Sequence, residues 1–192
     1  MTSAQYSPLQ KALHWVTALL VALMIPLGFY MVWRYFATDN DALTVALFDV
    51  HKLTGLVLLC LVLVRFGARL VKGVPPPPPE LARPQRIAAD VTHKLLYALL
   101  VAVPIAGWAG ASAYGLLSLP FGLQLPGIVG KDTDLAGRIL EWHAWGAIAL
   151  AVLAGGHIGA ALMHRFYFRD GIFARMWPGR SRTANAPVTD ES

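Results

Sequence analysis

Charge is scarce in this chain. Asp, Glu, Lys and Arg make up 14% of its 192 residues, where a soluble domain carries about 25%. Most of the chain is therefore not built to face water. Cysteine is almost missing as well: Cys60 stands alone. That excludes an intramolecular disulfide, and with no C-x-x-C-H motif it excludes covalent haem attachment. Cys60 sits inside an apolar run and reads as a small hydrophobe.

What fills the space is apolar, 56% of the residues. They are gathered into four long runs, about 12–33, 50–71, 92–113 and 140–163. Each approximates the roughly 20 residues that cross a ~30 Å hydrocarbon layer as a helix. Pro26 and Pro104 fall inside runs one and three, where membrane helices tolerate them. The net charge of +5 does not point to nucleic acid. Its Lys and Arg stand beside the apolar runs, where they orient a chain in a bilayer.

The expected fold is an all-α membrane protein, a four-transmembrane-helix bundle. Its helices span about 8–35, 41–72, 88–113 and 133–168, in one domain over 1–178. Ser7 with Pro8, the "TDND" at 38–41 and the "KDTD" at 131–134 supply helix starts, and Gly171 a stop. The first run is longer than a signal-peptide core, has only Lys11 close before it and contains His14, so it is expected to be retained. "VPPPPPELARP" (74–84) cannot be helix interior and reads as a stiff spacer. The polar tail 179–192 is expected to be disordered.

With both termini in the cytoplasm, twelve basic residues lie inside, and only Arg34, Lys52, Lys131 and Arg138 lie outside. The positive-inside rule favours that orientation. The localisation that follows is a multi-pass inner-membrane protein, with the lipid bilayer as its first partner.

Six histidines interrupt the apolar chain, and intramembrane imidazoles point to function. His143 and His157 are fourteen residues apart. At 100° per residue that falls about 40° short of four turns, so both share one helix face, about 21 Å apart along the axis. One metal ion cannot use both; two flat cofactors stacked across a membrane can. His51 lies at the depth of His143, ten residues into its helix, and makes the outer pair. For His157 the candidates are His14, favoured by its spacing from Pro8, and His93.

Paired histidines inside a helix bundle suit haem iron. A tetrahedral zinc site wants three or four ligands close together, and a histidine-based ion transporter ranks lower for that reason. Gly55 and Gly146 follow His51 and His143 by four and three residues and offer smooth walls for a flat ring. His164, beside Arg165, and His93, beside Lys94, lie at the inner interface. With Arg65 they are candidates for haem propionates or for proton supply to a quinone; solvated interfacial side chains are the plainer alternative.

The segments "ALHW" (12–15), "DVHKLTG" (49–55), "THKLLYALLVAVPIAGW" (92–108), "WHAWGAIALAVLAGGHIGAALMH" (142–164) and "RDGIFARMWPGR" (169–180) resemble the bacterial cytochrome b-561 family. The resemblance implies two haem b groups, ligated by His14, His51, His143 and His157. It also implies electron exchange with ubiquinone in the bilayer. One kind of member oxidises superoxide outside and passes the electron to ubiquinone, which would make this chain an oxidoreductase of that type. Other members carry electrons for partner proteins, so a periplasmic electron donor, or a role as haem-containing anchor subunit, is also expected. The outer segments carry four basic residues against Asp39, Asp41, Asp49, Asp132, Asp134 and Glu141. That sum gives no steering for an anion.

Overall fold

The computed structural model describes residues 5–38, 41–78 and 81–178. Four helices run up and down: α1 (Pro8–Ala37), α2 (Ala42–Lys72), α3 (Arg83–Tyr114) and α4 (Thr133–Met163). Each is long and apolar enough to cross a membrane. Among the described residues there is no strand, only an isolated bridge between Ser118 and Gln124. The end carrying both chain ends and the α2–α3 spacer is called the terminal end, and the other the far end.

The helix starts follow local chemistry. The Ser7 hydroxyl accepts the Gln10 amide at 3.3 Å, while the Gln10 side chain takes the Ser7 amide at 3.0 Å. Asp41 caps α2, accepting from the Thr44 hydroxyl at 2.7 Å and its amide at 2.9 Å. The Thr44 hydroxyl and amide, with Arg34 at 2.6 Å, push the Asp41 carboxyl down to about 2. Asp132 caps α4 through the Leu135 amide at 2.9 Å.

Two boundaries differ from the sequence reading. Helix α3 begins at Arg83 rather than about 88. Pro84 has its ring in the first turn, where no amide is needed, and the Gln85 side chain accepts the Ala82 amide at 3.2 Å. At the other end, α4 gives way to a π-helical turn, His164–Phe168. The left-handed break then falls at Arg169 (φ 52°), two residues before Gly171. Asp170 stabilises that break by holding His164 Nδ1 at 2.5 Å and the Ile172 amide at 3.1 Å. The tail 179–192 lies outside the described residues, as do Asp39, Asn40, Pro79 and Glu80.

Sequential helices are neighbours, with α3 on α4 the most extensive contact, then α1 on α2, then α2 on α3. The core is small: Val21, Leu58, Val62, Leu100 and Leu150. Many large apolar side chains, Phe29, Trp33, Trp142 and Val152 among them, point outward. That is the surface a bilayer covers, and it leaves helix packing to close van der Waals fit. Small residues provide the fit between α3 and α4. A Cβ on Gly110 would stand 2.5 Å from Leu140 Cδ2, and one on Gly146 would stand 2.8 Å from Val103 Cγ2.

Helix α4 makes no substantial backbone contact with α1 or α2. Side chains cross that separation instead. At the far end, residues 115–132 fold over the bundle. The buried Ser112 hydroxyl accepts the Ile128 and Val129 amides at 2.9 and 3.0 Å and donates to the Val129 carbonyl at 2.8 Å. Lys52 reaches the Leu116 carbonyl at 3.1 Å and Asp49 at 2.8 Å, tying this loop to α2 beside His51. At the terminal end, Trp15 Nε1 donates to the Met176 carbonyl at 2.8 Å, and Arg175 donates to the Pro76 carbonyl at 2.7 Å. The spacer and the final described residues thus close the bundle near His14.

Candidate functional site

The histidines gather at two depths, joined by the single continuous rod of α4. At the far end His51 of α2 faces His143 of α4, with ring centroids 6.1 Å apart and planes at 82°. Metal–imidazole bonds of about 2 Å on opposite sides of one ion place the two centroids about 6 Å apart. The pair therefore has the spacing of two axial ligands.

The surroundings of His143 fix its chemistry. Its Nδ1 lies 2.9 Å from the Val103 carbonyl of α3. A carbonyl only accepts, so Nδ1 carries the proton and Nε2 presents its lone pair, the arrangement of a metal-ligating histidine. That approach needs a glycine. A Cβ on Gly107 would stand 2.9 Å from His143 Cε1 and 3.0 Å from Nδ1. Gly146 brings Val103 within reach by allowing α3 and α4 to close. Across the pair, a Cβ on Gly28 would lie 3.5 Å from His51 Cε1. His51 Nδ1 is buried without a hydrogen-bond partner. Gly55 faces Met24 of α1, at 3.7 Å from where a Cβ would be, and serves the α1–α2 contact.

At the terminal end three rings meet. His157 lies 6.3 Å from His14, planes at 83°, and 5.2 Å from His93, planes at 69°. The first distance has the axial-pair spacing; the second is about an ångström short of it. Arg65 of α2 donates to His14 Nδ1 at 2.9 Å. The Arg65 and Arg69 guanidinium carbons lie 5.3 and 5.8 Å from the centroid of the Tyr97 ring. Trp15 lies edge-on to His14 at 5.5 Å and, on its other side, to Trp177 at 5.5 Å. His164 is held apart from these rings by its bond to Asp170. A Cβ on Gly155, Gly156 or Gly159 would meet nothing within 4 Å, so the α4 backbone around His157 borders open space.

Among the described residues no cluster of three or more His, Cys, Asp or Glu side chains could hold a bare metal ion. Two imidazoles at each depth, on helices that stand apart, instead fit a planar metal cofactor bound edgewise into the separation. The far-end pair meets this test through its 6.1 Å spacing, the proton on His143 Nδ1 and the orphaned His51 Nδ1. The terminal pair meets it in spacing. There Arg65 must release His14 Nδ1 before that nitrogen can hold the proton and free Nε2 for iron.

Three contributors escaped the sequence reading: Gly107, the Val103 carbonyl and Gly28. The recurrence of Gly107 and Gly110 three residues apart on α3 is the signal that marks a close-packed face.

The profile described as prokaryotic cytochrome b561 matches residues 5–179. Cytochrome b561 homolog 2 of Escherichia coli (strain K12) is 31% identical over 186 residues, covering 91% of this chain and 92% of the relative. Probable superoxide oxidase CybB of Yersinia pestis is 29% identical over 182 residues, covering 91% and 96%. Cytochrome b562 of Cereibacter sphaeroides is 31% identical over 175 residues, covering 89% and 94%.

Proposed function

This chain belongs to the prokaryotic cytochrome b561 family, and we propose that it carries electrons between a donor and ubiquinone in the inner membrane using two haem b groups. The observation that carries this reading is the division of four histidines into two pairs with ring spacings of 6.1 and 6.3 Å. His51 and His143 hold the far-end haem; His14 and His157 hold the terminal-end haem. When bound, each haem supplies a one-electron carrier with both axial positions filled, suited to relay rather than to oxygen binding.

The protein's own groups do the positioning. Val103 keeps the proton of His143 on Nδ1, and Gly107 leaves room for the ring to reach that carbonyl. Arg65 supplies positive charge beside His14 and, once it has released Nδ1, a donor for a propionate. His93, beside His157 but too near it for a shared iron, is the group at hand to deliver a proton to a quinone at that depth. The terminal end, rich in Lys and Arg, faces the cytoplasm.

The donor meets the far end. Superoxide is a candidate through the printed name of the Yersinia pestis relative. Two of the four far-end cations are neutralised, Arg34 by Asp41 and Lys52 by Asp49. That favours a donor that does not depend on a positive surface, as in a haem subunit serving a partner oxidoreductase. The deciding experiment has two steps. A reduced-minus-oxidised spectrum with haem quantitation should give b-type bands and two haems per chain; absent bands end the cytochrome reading. Superoxide generated enzymatically is then supplied to the purified chain with ubiquinone. Fast quinone reduction identifies superoxide as donor, and none identifies the partner-dependent carrier.

A further inference from the structure

A trough of about 690 Å³ runs between α2 and α3 on the outside of the bundle. Its floor is the fully buried Val62, and its rims are Leu63, Phe66 and Ile105, each roughly half exposed. Ala98 and Ala102 leave it open along α3. From Tyr97 to Ala106 it extends about 13 Å along that helix. Every lining side chain is apolar except for the Tyr97 hydroxyl.

The mouth at the terminal end is different. Phe66 packs edge-on against Tyr97 at 5.9 Å, and the Arg65 and Arg69 guanidinium groups lie over the Tyr97 ring. Arg65 is engaged by His14. Arg69 has no carboxylate within 4.0 Å among the described residues. The acid on the facing helix, Asp90, is paired with Lys94 at 2.6 Å. A cation without a counter-ion therefore stands over an empty apolar slot.

We propose that the trough binds one anionic phospholipid of the terminal-end leaflet, with an acyl chain along Val62 and Ala102 and the phosphate on Arg69. The slot is long enough for most of one chain to the mid-plane of a ~30 Å layer. Charge decides between apolar occupants. A quinone offers a tail but no anion, and a zwitterionic lipid brings its own ammonium to the guanidinium. The inference rests on the membrane-spanning fold and is independent of the haem ligands.

The test uses the purified full-length chain and native mass spectrometry, with phosphatidylglycerol and phosphatidylcholine of identical acyl chains as probes. One phosphatidylglycerol should be retained, preferred about fivefold over phosphatidylcholine, the preference one basic residue provides at a charged lipid surface. Arg69→Gln should abolish the preference, and Arg69→Lys should keep most of it. Ala102→Trp, at a lipid-facing position, should lower retention of both lipids alike while circular dichroism and haem content stay unchanged. Equal retention of the two lipids by the unmodified chain would overturn the proposal. So would an Arg69→Gln variant with intact preference, or displacement of phosphatidylglycerol by decylubiquinone regardless of the Arg69 and Ala102 substitutions. A chain that lacked haem yet showed the lipid preference would support this site while ending the cytochrome reading.

Discussion

His143 donates from Nδ1 to the Val103 carbonyl across the α3–α4 interface, at 2.9 Å. One bond thereby sets which nitrogen of the ring faces into the bundle. The same interface is the tightest in the molecule, and glycines make it so. Ligand chemistry and helix packing are decided here by the same atoms.

Gly107→Ala should break that coupling. Its Cβ would stand 2.9 Å from His143 Cε1, too close for the ring to stay. The variant should keep its terminal-end haem and lose or loosen the far-end one. Haem quantitation would fall toward half, with one potential missing from a redox titration. Two haems with unshifted potentials would remove Gly107 from this role.

The histidine pairs make a sharper test. His51→Ala and His143→Ala should each remove the far-end haem, and His14→Ala and His157→Ala the terminal-end one. His93→Phe should keep both spectra and slow quinone reduction, because its ring is 5.2 Å from His157, short of the axial spacing. Should His93→Phe lose a haem while His14→Ala keeps it, the terminal ligands have been assigned the wrong way round.

Arg65→Gln takes a positive charge from beside His14. A cation near a haem favours the reduced, less positive form. The potential of the terminal-end haem should therefore fall, by roughly 30–60 mV, on the scale where about 59 mV is tenfold for one electron. The far-end potential should hold. Equal shifts in both would mean that the effect is not local.

Acid should act on the α1–α2 connection. The Asp41 carboxyl is lowered from 3.8 to about 2 by its bonds to Thr44 and Arg34. A group whose folded value is depressed stabilises the fold above its unfolded value, and that contribution is lost as pH falls through the folded one. The contribution of Asp41 should be constant at neutral pH and fade from about pH 4 to 2. Thermal unfolding of Asp41→Asn, which keeps a capping oxygen but no charge, should show a smaller decline over that window. Identical acid profiles would show that the cap works without its charge.

The sequence by itself determined the number of helices, their membrane character and the two depths of the histidines. Run length, helix rise and turn angle are local quantities, and they already place His143 and His157 on one face of one rod. Ser7, Asp41 and Asp132 mark their starts because capping is also local. The early start of α3 was obscured because Ala82 has no capping side chain and the reach of Gln85 leaves no fixed pattern.

Only the tertiary structure decided which rings approach which. His14 and His93 are equally plausible by composition, and the difference of 6.3 against 5.2 Å comes from how α1 and α3 pack around α4. Neither the Val103 carbonyl nor the clearance at Gly107 is visible in sequence. A backbone oxygen is common to every residue, and a glycine becomes meaningful only once another helix lies against it.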